Sequence, residues 1–275
     1  MHGLLSGRSV PLLGAAILGV LLLVAIFAPW LAPYPPGQMD LLHALEGPSA
    51  EHWLGTDEDG ADLLTAILHG ARLAVLVGFS TVLVCLAVGL LVGSVAGWYG
   101  GLVDELLMRL VDLVMAFPGI LLAILIIFIT QQPSVWTVVL ALSVTGWASY
   151  ARLVRGQVLA LREREFLLAA RVLGASTPRI LLVHVIPNVM APVVVQATFG
   201  VAGAILAEAS LSFLGLGPQG SPSWGALLDQ GAHYFLLTHH LATFPGLAIM
   251  VSVMGINFLG DGLRDWLDPH RLEIP

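Results

Sequence analysis

Six stretches of this chain, each about twenty residues long, carry almost no charge. In hydrocarbon every backbone N–H and C=O must be satisfied within the spanning segment, so runs of this length and apolarity lead to helices. They extend from about Val10 to Leu31, Leu73 to Trp98, Leu113 to Thr130, Val135 to Ala151, Met190 to Leu214 and Phe244 to Leu263. Of the 275 residues, 57% are hydrophobic and only 11% charged, where a soluble domain carries about 25% charged residues. The expected fold class is therefore an all-α polytopic membrane protein with six transmembrane helices. The first run is too long for a signal peptide and ends in APWLAPYPP rather than a small-residue cleavage site, so it reads as a retained anchor.

The basic residues set an orientation. All eleven are Arg, and there is no Lys. Residues 32–72, between the first two runs, hold seven acidic residues and one Arg, Arg72, whereas residues 151–188 hold six Arg and two Glu. Arg8, Arg109, Arg264 and Arg271 flank other run ends. Cytoplasmic loops are Arg-rich, and six spans return both termini to one side. Both termini are expected in the cytoplasm, with Arg72 the only arginine outside. The missing lysine also removes the phosphate-binding GxxxxGK[ST] loop, so the chain cannot hydrolyse ATP through one.

Several residues within or beside the runs stand out. The acid cluster Asp57, Glu58, Asp59 and Asp62 lacks EF-hand spacing. It reads as the start of an amphipathic surface helix capped by Thr56 or Asp57, carrying Leu63, Leu64, Ile67, Leu68 and Leu73 at helical spacing. Gly89, Gly93 and Gly97 recur every four residues, which lets helix backbones approach closely in lipid. Arg109 and Asp112 are one turn apart and able to pair. Pro118 is expected to kink the third span or mark its start. Glu208 lies in VAGAILAEASLSFLGLG; a carboxyl at membrane depth is a pathway candidate, set against simple bonding to Ser210, Ser212 or nearby amides. The loop 216–243 is expected to carry a short helix around Trp224 to Tyr234. Six of nine histidines fall in the two outer segments without ligand spacing and read as surface residues. Cys85, the single cysteine, reads as a packed thiol.

The segment 161–188, LREREFLLAARVLGASTPRILLVHVIPN, is too charged to span a membrane. Phe166, Ala169, Ala170 and Leu173 share one helical face. Gly174 supplies a left-handed stop. Ser176 or Thr177 caps a second helix, with Pro178 in its first turn, that runs through Arg179–His184 and stops before Pro187. On the residues alone, two readings of this stripe stay open. It docks a cytoplasmic partner, or it packs on the protein's own span ends.

The pattern from Ala169 to Pro187, AA-x3-G-x9-HVIP, resembles the EAA loop of ABC importer permeases. With HWLGTDEDGADLL (52–64), GAR (70–72), MRLVDLVMAFPGILLAI (108–124), YARLVRGQVL (150–159), LSFLGLG (211–217), WGALL (224–228), FPGLAI (244–249) and GDGLRDWLDP (260–269), the chain resembles the C-type permease subunits of the dipeptide/oligopeptide/nickel importer family over nearly its whole length. The sequence departs from that pattern at Leu168, where the family usually has an acid, and at Ala61, where Arg usually precedes Asp62.

The resemblance implies a type I ABC importer permease fold with a cytoplasmic coupling helix, in the bacterial inner membrane. It implies a division into residues 1–72 (tail, first span and outer segment), 73–267 (a five-helix core with the EAA loop at about 161–188) and a tail at 268–275. Expected partners are a homologous second permease subunit, two cytoplasmic ATP-binding subunits and an external solute-binding protein. No cofactor is bound directly; ATP and Mg²⁺ belong to the partner subunits. The implied ATPase-docking residues are Phe166, Ala169, Ala170, Leu173, Gly174, Ala175, Ser176 and Pro187, and the pathway or gating candidates are Glu208, Asp112 and Pro118.

Peptides are the expected cargo, with nickel or another small solute as the alternative. An ion-coupled secondary transporter would show inverted repeats with broken helices, and no repeat is evident. A membrane enzyme would show HExxH, GxSxG or similar motifs, and none is present. Membrane flanks exclude a DNA-binding helix–turn–helix, and no nucleic-acid partner is expected.

Overall fold

The computed structural model describes residues 9–267 apart from Gln132. Arg8, Arg271 and the 268–275 tail, on which part of the orientation argument rests, lie outside the described residues. Ten helices organise the rest: α1 (Ser9–Leu31), α2 (Leu63–Tyr99), α3 (Gly101–Met115), α4 (Gly119–Thr130), α5 (Val135–Leu161), α6 (Glu165–Val172), α7 (Thr177–Ile180), α8 (Ile186–Phe213), α9 (Trp224–His233) and α10 (His240–Leu267). Five helical segments are long and apolar enough to cross a membrane: α1, α2, α5, the run Thr177–Phe213, and α10. The sixth span is α3 and α4 together, bent by 80°.

The α2 and α5 backbones approach closely along a glycine seam. A Cβ at Gly93 would lie 2.5 Å from Ala151 O, and one at Gly97 would lie 2.8 Å from Val158 Cβ. Gly89 meets Tyr150 in the same way. The four-residue glycine spacing thus serves backbone approach, which dispersion rewards where no hydrophobic effect operates between helices. At the same end, α3 is tied to α5 by ion pairs. Arg155 grips Asp104 with two bonds of 2.5 and 2.7 Å, and Arg152 reaches Asp112 at 2.7 Å. The expected Arg109–Asp112 pair is not formed: Arg109 turns to Glu105 within its own helix, which frees Asp112 for α5.

Three expectations about helix limits are revised. The surface helix before the second span does not exist separately. Asp62, not Thr56 or Asp57, caps α2, accepting from Thr65 N at 2.8 Å, and the helix then runs unbroken from Leu63 into the membrane. No proline interrupts it, and Gly70 is held against the Trp224 ring. Asp57 instead folds its own turn, its carboxylate accepting from Asp59 N and Ala61 N, with burial pushing its pKa up. The third span is an elbow of two helices rather than one run from Leu113: α3 ends at Met115, and Pro118, as expected, marks the start of α4. Lastly, the helix after Ser176 does not stop before Pro187. A π-helical turn at Leu181–Val185 carries it on, with Ile186 N–H bonding back to Leu181 O. Widening the ladder one turn ahead makes room for a proline ring that would otherwise crowd the preceding turn.

Candidate docking surface and membrane cavity

The loop joining α5 to α8 builds a small knob. α5 ends at Leu161, Arg164 N–H closes a turn on Leu161 O, and α6 follows. Gly174 adopts φ +80°, the left-handed conformation that a side chain resists, and turns the chain into α7. Ser176 stands at the N-cap of α7 without a side-chain hydrogen bond there.

α6 has two faces, and the sequence placed their boundary one residue out. Leu167 is fully buried among Trp98, Val154, Val158, Ile180 and Val185. Ala170 and Ala175 pack on the same cluster, and the Arg171 guanidinium lies 4.2 Å from the Trp98 ring centre. Ala170 therefore faces inward rather than sharing the outer stripe. The outward face comprises Phe166, Ala169 and Leu173 as expected, together with Leu168 and Val172. Val172 and Leu173 are 87% and 85% exposed. Gly174 and Ser176 are exposed beside them. Pro187 is exposed in the first turn of α8, beyond the π turn, and does not belong to α6. Leu167 and Val172 were missed because the i, i+3, i+4, i+7 count fits two neighbouring registers in so short a helix. The inward Leu167–Ala170–Arg171 set, with Trp98 far away in sequence, decides between them.

The two faces of this segment therefore differ. The inner face packs on the span ends. The outer face leaves large apolar side chains in water at a knob attached directly to two spans, a cost of roughly 1.5–3 kcal/mol per large side chain relative to burial.

The pathway candidates separate. Glu208 is buried and accepts from Ser212 Oγ at 2.7 Å and Ser223 Oγ at 2.9 Å. Ser210, a suggested partner, instead donates to Leu206 O. Ser223 caps α9, and Trp224 Nε1 donates to Ile67 O at 2.9 Å, so Glu208 fastens α9 onto α8 and Trp224 fastens it onto α2. Asp112 sits on the exposed side of α3 in its ion pair with Arg152. Pro118 forms the elbow next to Gly119.

Gly119 borders a cavity of about 280 Å³ at the middle of the spans, enclosed by α2, α4, α5 and α8. Its polar lining is Thr81, Thr145, Ser149, Tyr150 and Gln196, with Cys85 alongside. None of these polar residues was singled out from the sequence. Their only signal was a hydroxyl or amide inside a run otherwise read as apolar.

The profile of the family described as the binding-protein-dependent transport system inner membrane component matches residues 89–273, and that of the N-terminal transmembrane domain of oligopeptide transport permease C matches residues 8–48. The dipeptide transport system permease protein DppC of Alkalihalophilus pseudofirmus is 43% identical over 96% of this chain and 87% of its own length. The oligopeptide transport system permease protein OppC of Bacillus subtilis is 39% identical over 94% and 85%. The inward-facing MetNI methionine ABC transporter shares the fold with a TM-score of 0.59 at 18% identity, over 74% of this chain and 96% of that one.

Proposed function

The chain belongs to the family of binding-protein-dependent transport system inner membrane components, the permease subunits of ABC importers, and we propose that its cargo is di- or oligopeptides. The relatives named for dipeptide and oligopeptide transport, aligned over nearly the whole chain, support that cargo. A second, homologous permease subunit completes the pathway. An external binding protein delivers the peptide, and two ATP-binding subunits hold ATP and Mg²⁺ on the cytoplasmic side. The chain has no ATPase site or cofactor of its own. Both termini face the cytoplasm, which places Arg109 of α3, Arg152 and Arg155 of α5 and Arg264 of α10 on that side, with α6.

The observation that carries the coupling role is the exposed apolar face of α6. Phe166, Ala169, Val172, Leu173 and Gly174 enter a groove on the ATP-binding subunit, while Leu167 and Arg171 hold the knob to the spans. When ATP closes the paired ATP-binding subunits, α6 moves with its groove. The run Thr177–Phe213 is helical throughout, so displacement at the knob is carried along α8 into the membrane. The basic residues around α6 keep it at the membrane surface without entering hydrocarbon.

Reconstitution with the ATP-binding subunits, the second permease and the binding protein tests the cargo. ATP-dependent accumulation of a labelled dipeptide is expected. Accumulation of Ni²⁺ with no uptake of any dipeptide would overturn the peptide reading.

A further inference from the structure

Hydroxyls inside the spans of this protein mostly satisfy themselves on the preceding turn. Ser143 donates to Val139 O, Thr198 to Val195 O and Ser210 to Leu206 O. Thr81 does not. It is 5% exposed, lies near the middle of α2, and its Oγ1 has no hydrogen-bond partner among the described residues. Ser94 shares that condition but does not line the cavity between α2, α4, α5 and α8, whereas Thr81 does. An unmet hydroxyl is costly in a low-dielectric interior, and the bland remedy, a bond to its own helix, is not taken.

The cavity around Thr81 carries a cluster of polar groups in an otherwise apolar wall, and it is uncharged. Thr145, Ser149, Tyr150 and Gln196 contribute hydroxyls and an amide, and no Asp, Glu, Arg or His lines it. Its remaining wall is mostly small residues. At Gly203 an added Cβ would meet nothing within 4 Å, so the missing side chain leaves open space rather than a packed seam. Gly119 and Gly203 are exposed, which leaves the cavity accessible from the elbow side. A site with hydrogen-bonding groups and no charge offers no ion pair to a terminus or an ionised side chain. It can bond the amide groups that peptides of every sequence share.

We propose that this mid-membrane cavity is a subsite for the backbone amides of the peptide in transit, with the Thr81 hydroxyl as its buried anchor. The assignment rests on the peptide reading above. In the assembled importer in proteoliposomes, with loaded binding protein, the measurement is labelled dipeptide taken up per ATP hydrolysed. Thr81→Val keeps the shape and removes the hydroxyl, so uptake per ATP falls about fivefold, the loss of one modest hydrogen bond. Thr81→Ser keeps the hydroxyl and stays near wild type. The Thr81→Val deficit is the same for dipeptides with neutral, acidic and basic side chains. Unchanged uptake in Thr81→Val, as for an idle hydroxyl or one holding only a water, overturns the subsite. So does an equal loss in Thr81→Ser, or a deficit confined to one side-chain class. Wild type that hydrolyses ATP yet moves no dipeptide overturns the peptide reading first, and this subsite with it.

Discussion

The two ends of α2, one at the Asp62 cap and the other beneath the α6 knob, treat their difficult groups in opposite ways. At the Asp62 end the difficult groups are carboxylates, and each is closed on the protein itself. Asp62 caps α2 and takes His52 Nδ1 at 3.0 Å, Asp57 folds its own turn, and Glu208 gathers Ser212 and Ser223. At the knob the difficult groups are apolar side chains, and the outer ones are left open. A carboxylate without partners in a dry setting costs more than the fold can absorb. An exposed Val or Leu costs a few kcal/mol at most. The polar groups had to be settled within the subunit, and the apolar ones did not.

The largest test of that contrast is at α6. Leu173→Asp or Ala169→Arg places charge in the proposed ATPase groove. The ATP-binding subunit that co-purifies should drop at least about tenfold, a loss of 1.4 kcal/mol or more, while membrane insertion stays normal. Ala170→Arg sits on the inner face and should instead lower the yield of folded permease. If Ala169→Arg and Ala170→Arg behave alike, the two-faced description of α6 is wrong.

A smaller effect is expected at Glu208. Glu208→Ala strands two buried serine hydroxyls and should lower stability by about 1–3 kcal/mol, read as an earlier thermal midpoint of the detergent-solubilised complex. Glu208→Gln, which retains an acceptor oxygen, should lose less. Uptake at a permissive temperature should survive both substitutions. Uptake abolished in a Glu208→Gln complex of normal stability would return Glu208 to the pathway.

The smallest effect concerns the exposed pair His43–Asp40, 3.0 Å apart. The Asp40 carboxylate raises the His43 pKa above its ordinary 6.5, and His43 lowers that of Asp40. The histidine's contribution is complete below pH 6.5 and fades as pH rises through the raised value. The aspartate's is complete above 3.8 and fades as pH falls through its lowered one. Hydrogen exchange in a peptide covering residues 40–43, corrected for intrinsic rate, should show less protection at pH 8 than at pH 6. Equal protection would remove the pair from the account.

The spans were legible because a run of uncharged residues has one structural outcome in lipid. The glycine seam on α2 and the left-handed Gly174 were legible for the same reason, since few other structures use those residues in that way. What escaped depended on partners distant in sequence. Ser223, fifteen residues beyond Glu208, and Trp98 beneath Arg171 have no local signature. Nor does Thr81, whose hydroxyl looks like any other until the carbonyls around it prove unavailable. Pro118 marked the elbow but not its angle, which the packing of α4 against α5 decides. Pro187 misled because the π turn ahead of it neutralises the usual reason for a helix to end.

The 37-residue α2 is about 55 Å long at 1.5 Å per residue, while the hydrocarbon core of a bilayer is about 30 Å thick. Lipid therefore does not decide where this helix begins or ends. Asp62 fixes one end, and Gly97 against Val158, just before the Gly100 turn, fixes the other. Thinner or thicker membranes change how much of the rod they cover and leave both ends in place. The importer should accordingly tolerate acyl chains of different length better than one whose spans merely match the bilayer.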